Sequence, residues 1–397
     1  MGSGALEGVR IVDFSHVFQG PVATQLLADL GADVIKVERP GGGDWSRAWG
    51  PFVAGVSMPF AALNRNKRSI VLDLRRPEAK EVLMRLLATA DVLVHNFRPG
   101  VMERLGLGYN DLKESFPRLI YAASSGWGDV GPYVERGRPG HDLLARAEAG
   151  WFEATDARGC PAPAGISADY PAGLLLSIGI LAALLARERT GRGQLVTTDL
   201  FSAAIHAHAW DGGAVLNAER IDAHSRVGVT EQVIAKSFRT RDGFIEISPV
   251  FSADALRDLS LAMGLGDLSQ DPRFCTDALR LANAAALNDI LQARFLEHTT
   301  QEWIERLEPQ GIVCGRIRSL AEAIEDPQAL ANGMIVFVEH PRAGMLRLFG
   351  TPLRLYGTPP TVRLLPPDLG EHAEAILQEL GYSAQEISSL RACRALG

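Results

Sequence analysis

The chain has 397 residues, of which 47% are hydrophobic, 22% charged and 7% aromatic, enough for two or three domains with cores of their own. Its 40 Lys and Arg against 47 Asp and Glu leave a formal charge of −7, which excludes a globally basic, nucleic-acid-coating protein. Apolar content this high, with charges of both signs, also excludes a disordered chain.

Met1 to Gly8 is short and polar and carries no apolar h-region, so no signal peptide is expected. Arg10 to Phe14 then reads as a strand, Val22 to Leu30 as a helix closed by Gly31, and Asp33 to Val37 as a second strand. A strand–helix–strand connection of this length forces parallel pairing. The alternation continues with a strand at Ser69 to Leu74, a helix at Glu78 to Thr89, and strands at Asp91 to Val94 and Leu119 to Ala123. The expected fold class is therefore α/β, with a Rossmann-like, doubly wound parallel sheet in a large domain. The loop after the first strand reads Ser-His-Val-Phe-Gln-Gly-Pro (15–21) and not GxGxxG, which removes the main support for a nicotinamide dehydrogenase.

Tyr170 to Ala186 is the longest apolar run. It falls short of the roughly 20 residues of a membrane helix and contains Pro171, Gly173, Ser177 and Gly179, so it reads as a buried core helix and no membrane partner is expected. A strand follows at Leu195 to Thr198, and periodicity lapses from about Asp222 to Thr230. Phe238 to Val250 reads as a hairpin turning at Asp242-Gly243, followed by helical segments over 253–264 and 280–298. The tail from Leu348 is proline-rich up to Pro367 and ends in a helix, Glu371 to Leu380, and a short helical hairpin. The predicted organisation is a large domain over 1–222, a smaller α+β domain over 223–330, and a segment over 331–397 that returns to the large domain. Cys160, Cys275, Cys314 and Cys393 stand far apart without a CxxC pair, which fits a reducing, cytoplasmic setting and no cysteine metal site.

In open parallel sheets, ligands bind beyond the carboxyl ends of the strands. Ser15 to Phe18, Arg39-Pro40, Leu72 to Arg76, His95 to Gly100 and Ser124 to Gly128 fall there. Eight cations (Arg39, Arg65, Lys67, Arg68, Arg75, Arg76, Arg98 and Arg104) crowd the same predicted edge, as either a phosphate-binding rim or a solvated surface. Asp169 stands before the apolar helix, where a carboxylate serves as an N-cap or, kept ionised by the helix dipole, as a nucleophile toward an activated acyl group. His206 and His208 would share a face only in a strand, whereas a helix sets them roughly 200° apart; they read as structural.

Longer ordered motifs carry a resemblance. Gly8 to Pro40, with its Gly-Pro and Leu-Leu-Ala-Asp-Leu-Gly-Ala-Asp-Val-Ile-Lys-Val-Glu-Arg-Pro, resembles the family III CoA-transferases. So do Asn-Arg-Asn-Lys-Arg-Ser-Ile-Val-Leu-Asp (64–73), His-Asn-Phe-Arg-Pro-Gly (95–100), the segment from Gly179 to Gln194, and Leu-Gly-Glu-His (369–372). The resemblance implies a large domain made from both chain ends, an inserted small domain and an interlocked homodimer. It makes Asp169 the nucleophile on an acyl-CoA, with coenzyme A as substrate, a small carboxylic acid as acceptor, and no metal or tightly bound cofactor. By motif position, CoA contacts fall on Val17, Phe18, Arg39, Leu72, Arg75, Asn96, Phe97, Arg98, Arg104 and Arg138, with His16 and His141 in the substrate vicinity.

Departures from the family pattern shift the substrate. The glycine run that oxalate-using members carry is missing from 225–240, and Pro139-Gly140 replaces their Tyr-Glu pair. His141 matches the histidine of the α-methylacyl-CoA racemases, which makes a racemase using His141 and Asp169 the rival reading. The racemase glutamate aligns with Phe251, and a phenyl ring cannot move a proton. A non-catalytic acyl-CoA-binding protein and a thioesterase are the further alternatives.

Overall fold

Six short runs rich in β-branched and aliphatic residues form one sheet: β1 (Arg10–Asp13), β2 (Asp33–Glu38), β3 (Lys67–Val71), β4 (Val92–His95), β5 (Ile120–Ser125) and β6 (Leu195–Asp199). All pairings are parallel, in the order β6-β5-β4-β1-β2-β3. The helices that follow them are α1 (Gln19–Asp29), α2 (Pro77–Leu87), α3 (Asp142–Glu148), α4 (Asp169–Thr190) and α5 (Leu200–Ala207). The computed structural model describes residues 4–152, 154–155, 159–163, 165–217, 233–248 and 252–397. Phe251 and the first half of the segment compared with the glycine run, 225–232, lie outside the described residues.

The chain divides into two compact units, Met1–Ala209 with Gln328–Gly397, and Trp210–Pro327. In the second unit, β7 (Ser237–Arg239) and β8 (Phe244–Ile247) form the hairpin expected around Asp242-Gly243, and β9 (Cys314–Arg316) pairs antiparallel with β8. Helices α6 (Ala255–Ala262), α7 (Ala284–Phe295) and α8 (Thr300–Leu307) close its core around Phe238, Phe295 and Trp303. The helix expected over 280–298 is broken at Asn283, which leaves helical geometry at φ −110°, ψ 20°.

The first unit also holds an antiparallel hairpin of β10 (Ile335–His340) and β11 (Gly344–Phe349), which the sequence reading passed over, then α9 (Ala373–Glu379) and α10 (Ala384–Ala392). Strand side chains alternate between the two faces of the sheet. Ile11, Val34, Val92 and Ile120 pack against α1 and α4, while Val12, Ile35, Leu93 and Tyr121 pack against α2, α9 and α10. This is the doubly wound arrangement expected. The C-terminus closes the edge of the sheet, where Leu396 bridges to Leu72 and Gly397 donates its N–H to the Val71 carbonyl.

Two boundaries differ for local reasons. Helix α1 starts at Gln19, three residues earlier than expected, because Pro21 in a first turn has no N–H to waste and does not break the helix. Strand β3 starts at Lys67, where a charged side chain hides a strand position from an apolar pattern. Helix α4 buries Ala172, Leu176 and Ile180 but leaves Ile178 and Leu185 exposed at 60% and 66%, so in the single chain it is buried on one face and not all round. Its 22 residues are long and apolar enough to cross a membrane by composition, yet that buried face packs against the sheet.

Candidate active site

The loop between β1 and α1 is fixed by charge. Lys36, on β2 and fully buried, lies 2.9 Å from the Asp44 carboxylate and donates to the Ser15 carbonyl at 2.6 Å. Asp13, at the end of β1, accepts from the Ser15 amide and the Thr24 hydroxyl and pairs with Lys67 at 3.2 Å. Asn96, beyond β4, clamps His16 from both sides: its oxygen accepts the His16 N–H and its amide donates to the His16 carbonyl, each at 2.8 Å. Asp44 then accepts the Val17 N–H at 3.1 Å. Burial works to raise the Asp44 pKa, but Lys36 holds it well below the ordinary carboxylate range. This frame keeps Val17, a β-branched residue, at φ 69°, a conformation its side chain disfavours.

The held loop delivers the first amide of α1. The Gln19 backbone N–H faces the Asp169 carboxylate and favours its ionised form. Helix α4 comes close enough because residue 173, one turn along, is glycine: a Cβ there would stand 2.6 Å from the Gln19 carbonyl oxygen. A second glycine crossing brings in the facing wall. A Cβ on Gly126, past the end of β5, would stand 2.3 Å from the Gly140 Cα, so the segment carrying Arg138, His141 and Asp142 lies directly on the strand end. The Gly140 that departs from the family pattern is thus required by its neighbour.

Asp169 is not an N-cap. It is the first residue of α4, Ala168 before it is already helical at φ −64°, ψ −20°, and its side chain makes no capping bond. Asp142 fills that role from another segment, accepting the Ala168 N–H at 2.6 Å. The Ser167 hydroxyl lies 2.9 Å from the Asp142 carboxylate and 2.9 Å from that of Asp169. The hydroxyl has one hydrogen, so it donates to one of the two carboxylates at a time, and donation to Asp169 favours the ionised form. Burial, with the nearby Asp142 charge, pushes the Asp169 pKa up to about 6, against the hydrogen bond from Ser167 and the charge of His141. Ionisation by the helix end alone, as the sequence suggested, is outweighed by desolvation.

Asp169, Arg104, Arg138 and His141 line a cleft of about 560 Å³. A second cavity of about 740 Å³ holds His16, Arg39, Leu72, Arg75 and Phe97, and Val17, Asn96 and Arg98 line both. Phe18 turns instead into a separate apolar cavity. Burial and the charge of Lys36 push the His16 pKa down to about 4, so its imidazole is neutral at pH 7. His141 caps α3, its Nδ1 accepting the Leu143 N–H at 3.2 Å.

The eight cations separate into two groups. Arg65, Lys67 and Arg68 belong to the amino end of β3 and are tied to Asp29, Asp13 and the pair Asp33 and Glu379, away from the open edge. Arg39, Arg75, Arg76, Arg98 and Arg104 are exposed. Of these, Arg75 is chelated by its own neighbour Asp73, while Arg98 and Arg104 have no side-chain partner among the described residues. Arg138 stacks on Trp127 and Tyr133, at 4.5 Å and 4.3 Å from the ring centroids, and pairs with Glu148. His206 and His208 fall at the end of α5, a helix, and no cluster of three potential metal ligands occurs among the described residues. The sequence reading missed Gln19, Asp142 and Ser167. Their roles come from contacts with a residue distant in the chain, and the signal available was their place beside quoted motifs.

Comparison with known proteins gives a consistent result. The family model for CoA-transferase family III matches residues 6–373. An acyl-CoA transferase from Fusarium pseudograminearum is 39% identical over 98% of this chain and 87% of its own. A succinyl-CoA:glutarate CoA-transferase from Mus musculus is 35% identical over 97% and 88%. The crystal structure of a CAIB/BAIF family protein from Brucella suis superposes with a TM-score of 0.82 at 34% identity, covering 96% of this chain and all of that one.

Proposed function

The chain belongs to CoA-transferase family III, and from that premise we propose that it moves coenzyme A from an acyl-CoA to a carboxylic acid through covalent intermediates on Asp169. The observation that carries this reading is the seat of Asp169: a partly buried carboxylate on the wall of a cleft, facing the Gln19 amide and within hydrogen-bond reach of the Ser167 hydroxyl. An ionised carboxylate so placed attacks a thioester with part of its hydration shell already removed.

The Asp169 oxygen attacks the thioester carbonyl, the C–S bond breaks, and a mixed anhydride and CoA thiolate form. The thiolate attacks the aspartyl carbonyl, releasing the donor as a carboxylate and leaving CoA on Asp169 as a thioester. The acceptor carboxylate displaces the thiolate to give a second anhydride, and thiolate attack on the acceptor's acyl carbon releases the new acyl-CoA and regenerates Asp169. No electron changes hands and no metal or bound cofactor is called for. The exposed guanidinium groups of Arg39, Arg98 and Arg104 suit the CoA phosphates, which a cation binds as it binds any phosphate.

Mass spectrometry after incubation with acyl-CoAs and hydroxylamine should localise a modification to Asp169. Asp169→Ala should lose at least about 10³-fold in transfer while still binding CoA; substantial turnover by that variant would overturn the mechanism. We also infer a homodimer, supported by the exposed Ile178 and Leu185 on α4. Sedimentation should show a dimer, and a monomer at micromolar concentration would contradict this.

A further inference from the structure

Beside the cleft lies a cavity of about 530 Å³ that the steps above leave unused. Val22 and Leu26 of α1, with Trp49, Leu63, Tyr170 and Phe349, give it an apolar wall. Val17 and Trp49 line both this cavity and the cleft. Tyr170, on its wall, is the residue next to Asp169, so the cavity wall reaches within one residue of the nucleophile.

Among the described residues, the one charged group on its lining is already committed. Arg65 is 2% exposed; its Nε and Nη2 donate to Asp29 at 3.2 Å and 2.6 Å, and its Nη1 donates to the Phe349 carbonyl at 2.5 Å. A donor ending in a second carboxylate would have to set that charge against a mainly apolar wall, with a cation beside it whose hydrogen bonds are taken. An uncharged chain would instead remove apolar surface from water on both sides.

Resting on the aspartyl mechanism above, we propose that this cavity is the acyl site and that the preferred donors carry an uncharged aliphatic acyl group of medium length. Each buried methylene is worth roughly a fourfold gain in kcat/KM while the chain still fits. The test is the chain-length profile of the wild-type protein for acetyl-, propionyl-, hexanoyl-, octanoyl- and succinyl-CoA, with Asp169 adducts followed by mass spectrometry alongside turnover. The expected result is a rise of at least tenfold from propionyl- to octanoyl-CoA, with succinyl-CoA below both. In Ala62→Phe, which puts a ring into the cavity from its wall, the octanoyl-to-propionyl ratio should fall by at least tenfold. A flat profile, a preference for succinyl-CoA, or a ratio unmoved by Ala62→Phe would overturn the acyl-site assignment while leaving the transferase reading intact. No adduct and no turnover with any donor, acetyl-CoA included, would overturn both.

Discussion

Lys36, on β2, and Arg98, in the loop that follows β4, do opposite things. Lys36 has 1% of its side chain exposed and is held by Asp44 and the Ser15 carbonyl; Arg98 is exposed and has no side-chain partner among the described residues. The first has given up its hydration and its freedom to hold a loop, so it has nothing left to offer a ligand. The second keeps its donors free and loses little on meeting a phosphate. Cations in this protein thus divide into those that build the nucleophile's seat and those that can receive a charged substrate, and burial with pairing is what separates them.

Removing one cation from each group tests the division. Lys36→Met should produce the largest change, destabilising the fold by about 3–5 kcal/mol in urea unfolding, because it leaves the Asp44 carboxylate buried and unpaired. A loss under about 1 kcal/mol would show that Asp44 finds relief elsewhere and that the pair is not structural. Arg98→Ala and Arg104→Ala should each weaken CoA binding about tenfold, more at low salt, while stability stays within about 0.5 kcal/mol. Unchanged CoA affinity in both would remove these arginines from the phosphate site.

The smallest effect concerns the carboxylate pair. Because Asp169 reacts as the ionised form and its pKa is pushed up to about 6, kcat/KM should rise with pH through that region and level off above it. Asp142→Asn keeps an oxygen for the Ala168 amide but removes the like charge, so the acid limb should move to lower pH by less than about one unit. A limb that stays in place would show that burial alone sets the Asp169 pKa.

Much of this was legible in the sequence. The alternation of short apolar strands with helices gave the parallel sheet, since connection length forces that pairing. Arg39, Asn96, Arg98 and Asp169 were picked from strand ends and a helix start, and the structure brings them around two cavities that share lining residues. Asn96 shows the limit of such a reading: its position was right, but its carboxamide is spent on both sides of His16, a contact between residues 80 apart.

The sequence by itself determined the fold class, the family and the neighbourhood of the site, because periodicity and ordered motifs are local properties of the chain. Only the tertiary structure decided that Arg65, Lys67 and Arg68 are structural, since their partners come from α1, from other strands and from α9. It also decided the state of Asp169. A helix start favours the ionised form, but the environment closing over it from α1 and α3 withdraws water, and desolvation is the larger effect.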